Sequence, residues 1–167
     1  MRKTKTGLIW LWLSALVVVL DQLVKVWMMQ HLSNHQVMPV FFSWLNFSLA
    51  FNAGAAFSFL GNAGGWQVYF FSAISLFIVI LFSVWLVRMP RCFYWRGLGL
   101  SLIIGGAVGN LIDRLRFNYV VDFIDVHFGG WHFATFNIAD SAISVGAFFL
   151  IVSLLFAKHA ASNVGRK

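Results

Sequence analysis

Two aspartates in this sequence have surroundings suited to acid–base chemistry. Asp122 lies in the segment VVDF and Asp140 lies in the segment FNIAD. Two neighbouring carboxyl groups do not both ionise readily, so one keeps a proton while the other accepts one from water. Such a pair cleaves a peptide bond without a covalent intermediate. Asp125 follows Asp122 by three residues, and the sequence leaves open which of them is the partner of Asp140.

The composition indicates that this chemistry takes place in a membrane. The 167 residues are 60% hydrophobic and 10% charged, a balance typical of membrane-spanning chains. Four apolar runs approach the roughly 20 residues that cross a bilayer. The predicted spans are 7–27, 67–87, 95–111 and 138–157, with outer loops at 28–66 and 112–137. The whole chain, 1–167, is predicted to form a single domain.

The distribution of charge predicts the orientation of the spans. The N-terminus, the segment between the second and third spans and the C-terminal tail carry basic residues and no acidic ones: Arg2, Lys3, Lys5, Arg88, Arg91, Arg96, Lys158, Arg166 and Lys167. All five aspartates fall on the other side. Since basic flanks stay in the cytoplasm, both termini are predicted to be cytoplasmic. Basic clusters beside apolar spans also argue against nucleic acid as the partner of this +7 chain.

The first outer loop is predicted to contain regular structure at the membrane surface. It has no Asp, Glu, Lys or Arg, and its segment VMPVFFSWLNFSLAFN is rich in the β-branched and aromatic residues of short strands. The following AGAAFSFLG is predicted to form a small interfacial helix or turn, where aromatic side chains favour the headgroup region.

Polar residues are placed at helical spacing on two of the spans. Asp21 and Lys25 are four residues apart and share a face, either as an ion pair that anchors the helix or as groups that order the outer loop or meet a lipid headgroup. Asn110, Asp113 and Arg114 also share a face. The structural alternative for these three is a buried cluster in which Arg114 holds Asp113 ionised. Small residues in the same span, GGAVG at 105–109, predict a close helix-packing face.

The fourth span begins with a polar stripe made of Asn137, Asp140, Ser141 and Ser144. The structural alternative for Asp140 is an anion that only caps the helix. A metal site at His127 and His132 is weakly supported, because no metal-binding spacing accompanies them. Cys92 is predicted to lie on the cytoplasmic side without a histidine partner, so we expect no catalytic role for it.

Five segments, in order along nearly the whole chain, carry a family resemblance. They are DQLVK at 21–25, FNAGAAFS at 51–58, GGAVGNLIDR at 105–114, VVDFIDV at 120–126 and FNIADSAIS at 136–144. The chain resembles the lipoprotein signal peptidases, the bacterial signal peptidase II family. The resemblance implies an all-α, four-transmembrane-helix bundle with a small extracytoplasmic β-cradle and an interfacial helix.

The resemblance also implies an activity. Family members are inner-membrane aspartyl peptidases that remove the signal peptide of diacylglyceryl-modified prolipoproteins, cutting just before the lipidated cysteine. Carried over by motif, Asp122 and Asp140 are the catalytic pair. Pocket and supporting residues would be Asn52, Gly54, Asn110, Arg114, Asn137, Asp21, Lys25 and Asp113. The resemblance implies no metal or other cofactor, and it implies prolipoproteins, membrane lipid and globomycin-type inhibitors as partners of a monomer.

Two other classes of protein fit part of the pattern. A proton- or cation-coupled transporter also carries Asp, Asn and Lys within its spans. It would need polar groups at mid-helix and inner depth, where this sequence has Leu, Ile, Val and Phe. A purely structural membrane subunit would not need two spare carboxylates beside several asparagines.

Overall fold

Four long helices confirm the predicted bundle. The computed structural model describes residues 6–34, 36–40, 44–54 and 64–164. The helices are α1 (Leu11–His31, after a 3₁₀ turn at Gly7–Trp10), α2 (Trp66–Arg88), α3 (Tyr94–Phe117) and α4 (Ile138–Val164). Each contains a segment long and apolar enough to cross a membrane, so the chain is a multi-pass membrane protein.

A small antiparallel sheet lies at one end of the bundle, which we call the sheet end. Its strands are β1 (Val37–Pro39), β2 (Leu45–Asn52), β3 (Val120–Phe128) and β4 (Trp131–His132), paired in that order. The predicted strands of the first outer loop are therefore confirmed. The predicted interfacial helix falls largely on residues 55–63, outside the described residues.

An apolar cluster fixes the sheet against the end of α1. Met28 and Leu32 pack with Leu49 of β2 and with Val121 and Phe123 of β3, and all five are buried. Burial of large apolar side chains is the main stabilising term in such a contact. It holds β3, the strand that carries Asp122, at a fixed height above the bundle.

The central helix of the bundle is α3. Of its most apolar window, 67% is buried inside the protein, against 6% for α2. Helix α3 continues six residues past the predicted end of the span at residue 111, to Phe117. The apolar run does end there, but Asp113 and Arg114 are buried and have partners, so the helix continues through charged residues. Asn118, in a left-handed conformation with φ of 63°, ends it.

Glycines allow the neighbours of α3 to approach its backbone, as the sequence predicts. A Cβ at Gly105 would lie 2.8 Å from Cβ of Val17 on α1. A Cβ at Gly106 would contact the carbonyl oxygen of Ala139 on α4. The first turn of α4, which carries Asp140, therefore packs directly against the α3 backbone.

Gly106→Ala is expected to destabilise the protein, by about 1–3 kcal/mol of overpacking. Alanine favours a helix over glycine by only about 1 kcal/mol, and the clash is with backbone atoms of Ala139 that have little freedom to move. Thermal unfolding in detergent measures the effect. Gly130→Ala is the matched control, since a Cβ there meets nothing within 4 Å. Equal unfolding temperatures for the two variants would show that the α3–α4 contact tolerates a methyl group.

Candidate active site

Asp122 and Asp140 come from different elements and are each held by amide donors. Asp122 lies on β3 and is 3% exposed. Its Oδ2 accepts a hydrogen bond from Asn52 Nδ2 (3.1 Å), and its Oδ1 accepts one from Asn137 Nδ2 (2.7 Å). Asp140 lies in the first turn of α4, where its Oδ1 accepts a hydrogen bond from Asn110 Nδ2 (2.7 Å).

Asn137 connects the two carboxyl groups. Besides Asp122, its Nδ2 donates to Asn110 Oδ1 (3.2 Å), and Asn110 in turn donates to Asp140. Asn137 and Asp140 also bond reciprocally: Asp140 N–H donates to Asn137 Oδ1 (2.8 Å), and Asn137 N–H donates to Asp140 Oδ2 (3.3 Å). This is the geometry of a capping box at the start of α4. Asp140 therefore does contribute to a helix cap, but its other oxygen faces the network around Asp122.

A buried ion cluster orients Asn110. Lys25 is 1% exposed, and its Nζ lies 2.8 Å from both Asp21 Oδ2 and Asp113 Oδ2. The same Nζ donates to Asn110 Oδ1 (3.2 Å). Since an ammonium group only donates hydrogen bonds, Lys25 fixes the oxygen of Asn110 toward itself and the amide nitrogen toward Asp140.

The two aspartates of this cluster, Asp21 and Asp113, also accept hydrogen bonds from backbone N–H groups. Asp21 Oδ1 accepts a hydrogen bond from Ala139 N–H (2.9 Å), which satisfies a donor in the first turn of α4. Asp113 Oδ2 accepts one from Val121 N–H (3.1 Å), next to Asp122. The predicted Asp21–Lys25 pair is present in the structure. The buried cluster of the structural alternative is also present, but the cation paired with Asp113 is Lys25 rather than Arg114.

Arg114 instead faces the end of β2. Its guanidinium donates to the carbonyl oxygen of Gly54 (3.2 Å) and lies 5.6 Å from the centre of the Phe71 ring. Gly54 N–H donates to Asn52 Oδ1 (2.9 Å), so this residue links Arg114 to the amide that binds Asp122. Within the described part of the chain, the buried Nε of Arg114 has no hydrogen-bond partner.

Asp125 belongs to a different cluster. It is 5% exposed, and its Oδ1 lies 2.9 Å from Nδ1 of His132. The ring of His132 stacks on that of His127, with centroids 5.1 Å apart. Asp125 is therefore a buried carboxylate with a partner rather than a solvated one. Its carboxylate is held by His132 and does not join the asparagines that connect Asp122 to Asp140. Among the described residues no group of three or more metal-binding side chains is found.

The environment of Asp122 suits a group that exchanges its proton near neutral pH. Burial, reinforced by the negative charge of Asp140, raises the pKa of Asp122 to about 7. The hydrogen bonds from Asn52 and Asn137 act in the opposite direction and lower the pKa, but they do not cancel the effect of burial. A carboxylic acid that titrates near neutrality is well placed for general acid–base catalysis.

Both carboxyl groups line one cavity of about 610 Å³ between α3, α4 and the sheet. The sequence pointed to eight of its lining residues: Asn52, Gly54, Asn110, Arg114, Asp122 and Asp140 as site residues, and Ser141 and Ser144 as part of the polar stripe. It missed the segment from Phe133 to Phe136, which also lines the cavity. It also missed Gln22, whose Nε2 donates to Asp113 Oδ1 (2.8 Å). The position of Gln22 inside DQLVK was the available signal.

The chain is similar in sequence and in fold to known proteins. The family model described as signal peptidase (SPase) II matches residues 13–156. Proteins named lipoprotein signal peptidase from Coxiella burnetii (strain Dugway 5J108-111) and Psychromonas ingrahamii are 56% and 45% identical to this chain. The matches cover 92% and 93% of this chain and 94% and 90% of those proteins. A bacterial membrane enzyme solved by the in meso method at 2.3 Å resolution has a TM-score of 0.78 and 31% identity, covering 87% of this chain and 86% of that one.

Proposed function

Because this chain belongs to the signal peptidase II family, it is a membrane peptidase, and we propose that it cleaves diacylglyceryl-modified prolipoproteins just before the lipidated cysteine. The observation that carries this proposal is the asparagine-connected pair of Asp122 and Asp140 at the mouth of a largely apolar cavity. Such a pair can activate water as the nucleophile, with one carboxylate accepting the proton of the water and the other carboxyl group acting as the acid.

In the proposed mechanism the two aspartates have different roles. Asp122, in its protonated form, binds the oxygen of the scissile carbonyl and transfers its proton to that oxygen as the tetrahedral intermediate forms. Asp140 takes a proton from water as the water oxygen bonds to the carbonyl carbon. The resulting gem-diol collapses as the C–N bond breaks. The proton on Asp140 then passes to the leaving amine, and a diol proton returns to Asp122. Asn110 and Asn137 keep the two carboxyl groups oriented throughout.

The cavity offers different surroundings to the different parts of such a substrate. Toward the bundle it is lined by Ile143, Ser144 and Val145 of α4, of which Ser144 and Val145 are exposed. We propose that the signal peptide and the acyl chains approach along this apolar side. Near the sheet, Asn52, Gly54 and Arg114 supply donors and acceptors for the peptide backbone.

We propose that the sheet end faces the periplasm and that both termini lie in the cytoplasm of a bacterial inner-membrane protein. The described basic residues Arg88, Arg91 and Arg96 lie at the opposite end of the bundle from all five aspartates. Basic flanks are retained on the cytoplasmic side. The proposed enzyme acts as a monomer without a cofactor and is inhibited by globomycin-type cyclic peptides.

The test is a gel-shift cleavage assay with purified protein. Wild type is expected to shorten a diacylglyceryl-modified prolipoprotein and to leave the same prolipoprotein without the lipid intact. Mass spectrometry of the product then gives the cleaved bond. A product that begins at any residue other than the lipidated cysteine would contradict the proposed specificity, and failure to cleave either form would contradict the proposed activity.

Turnover is expected to fall as the pH rises through about 7. The mechanism needs one protonated and one ionised carboxyl group, and loss of the Asp122 proton near this pH removes the acid. The measurement is kcat against pH, and its apparent pKa belongs to the coupled pair rather than to one residue. A kcat that still increases between about pH 7 and 9 would contradict these roles.

A further inference from the structure

A second cavity of about 610 Å³ lies at the end of the bundle opposite the sheet. We call it the distal groove. It is formed by the start of α3 and the second half of α4, and its wall includes Trp95, Arg96, Phe149, Val152 and Phe156. The rings of Trp95 and Phe149 stack with their centroids 5.3 Å apart. The distal groove shares no lining residue with the cavity around Asp122 and Asp140.

The distal groove carries positive charge on an apolar wall. Arg96 is the charged residue among its lining side chains, and its guanidinium lies 5.0 Å from the centre of the Phe93 ring. No aspartate lines it: Asp113, Asp122, Asp125 and Asp140 are at the sheet end, and Asp21 of α1 contacts the first turn of α4. The connection between α2 and α3 adds Arg88 and Arg91, both exposed. An anion reaching this end of the bundle therefore meets basic side chains and no acidic one.

We propose that the distal groove binds one anionic glycerophospholipid. The phosphate would contact Arg96, and an acyl chain would lie along Phe149, Val152 and Phe156. Basic pockets between membrane helices bind acidic headgroups, and a planar guanidinium matches the geometry of phosphate oxygens. The apolar wall suits an acyl chain. This binding site is independent of the proposed peptidase mechanism.

Native mass spectrometry of the delipidated protein in detergent tests this proposal, with phosphatidylglycerol and phosphatidylcholine of identical acyl chains as probes. Wild type is expected to retain one phosphatidylglycerol and to bind phosphatidylcholine about five-fold more weakly, the effect of one basic residue near a membrane surface. Arg96→Gln is expected to remove this preference. Arg88→Gln is the matched control, because Arg88 is exposed at the same end and does not line the distal groove.

A second variant tests the apolar part of the site while Arg96 stays in place. Val152→Trp fills the distal groove and is expected to weaken binding of both lipids, with the circular-dichroism spectrum unchanged. Equal affinity of wild type for the two lipids would overturn the proposal. An equal loss of the phosphatidylglycerol preference in Arg96→Gln and Arg88→Gln would also overturn it. Undiminished lipid binding by Val152→Trp would do the same. Prolipoprotein cleavage, measured on the same samples, reports separately on the peptidase.

Discussion

Asp140→Asn and Asp122→Asn are each expected to abolish cleavage of a lipid-modified prolipoprotein while the protein remains folded. Proton transfer by a positioned side chain contributes on the order of 10²–10⁴-fold to a rate, and asparagine neither accepts nor donates that proton. Asparagine keeps the size of the side chain and one oxygen for the donors Asn110 and Asn137. The measurement is the gel-shift assay, with unfolding temperature as the check on folding.

The matched control for both variants is Asp125→Asn. It makes the same change three residues along β3, at a buried carboxylate that is held by His132 and lies outside the asparagine connection. It is expected to retain cleavage. Full cleavage by a folded Asp122→Asn or Asp140→Asn protein would disprove the proposed pair. Loss of cleavage in a folded Asp125→Asn protein would assign Asp125 a part in the reaction.

The sequence was sufficient to predict the elements whose signal is long and local. Each span is a mostly apolar run of nearly bilayer length, and the predicted start of α4 at residue 138 agrees with the structure. Residues on one helix face were also predictable, since Asn110, Asp113 and Arg114 follow helical spacing. Spacing alone did not give their partners on other elements. Lys25 lies 85 residues from Asn110 in the chain and contacts it across the bundle.

Strand β3 shows why other parts of the fold and of the site were not predictable from the sequence. A half-exposed strand alternates apolar and polar residues, but Val120, Val121, Asp122 and Phe123 are all buried. Because both faces of the strand are covered, the sequence does not alternate between apolar and polar residues. VVDFIDV was therefore not predicted to be a strand. The pairing of Asp125 with His132 depends on the turn between β3 and β4. A tight turn with Gly129 at φ of 61° makes this contact possible, and the register of that turn could not be predicted from the sequence.

Lys25→Met is expected to cause the largest loss of stability of any single change considered, about 3–5 kcal/mol. Lys25 is the buried cation between Asp21 and Asp113, and its removal leaves two buried carboxylates without a counter-charge. Methionine has a similar length and fills the space, so the loss reflects charge rather than a cavity. Thermal unfolding in detergent measures it. Arg116→Met, an exposed basic residue on α3, is the control and is expected to change stability by less than about 0.5 kcal/mol.

The triple variant Lys25→Met, Asp21→Asn, Asp113→Asn separates charge from packing. Neutral amides replace both carboxylates, so the buried site no longer contains an unpaired ion. Much of the lost stability is therefore expected to return. Turnover is not expected to return with it, because Asn110 has lost the ammonium that points its amide nitrogen toward Asp140. An unchanged unfolding temperature in Lys25→Met would show that the cluster does not stabilise the fold. Wild-type turnover in the triple variant would show that Asn110 holds Asp140 without help from Lys25.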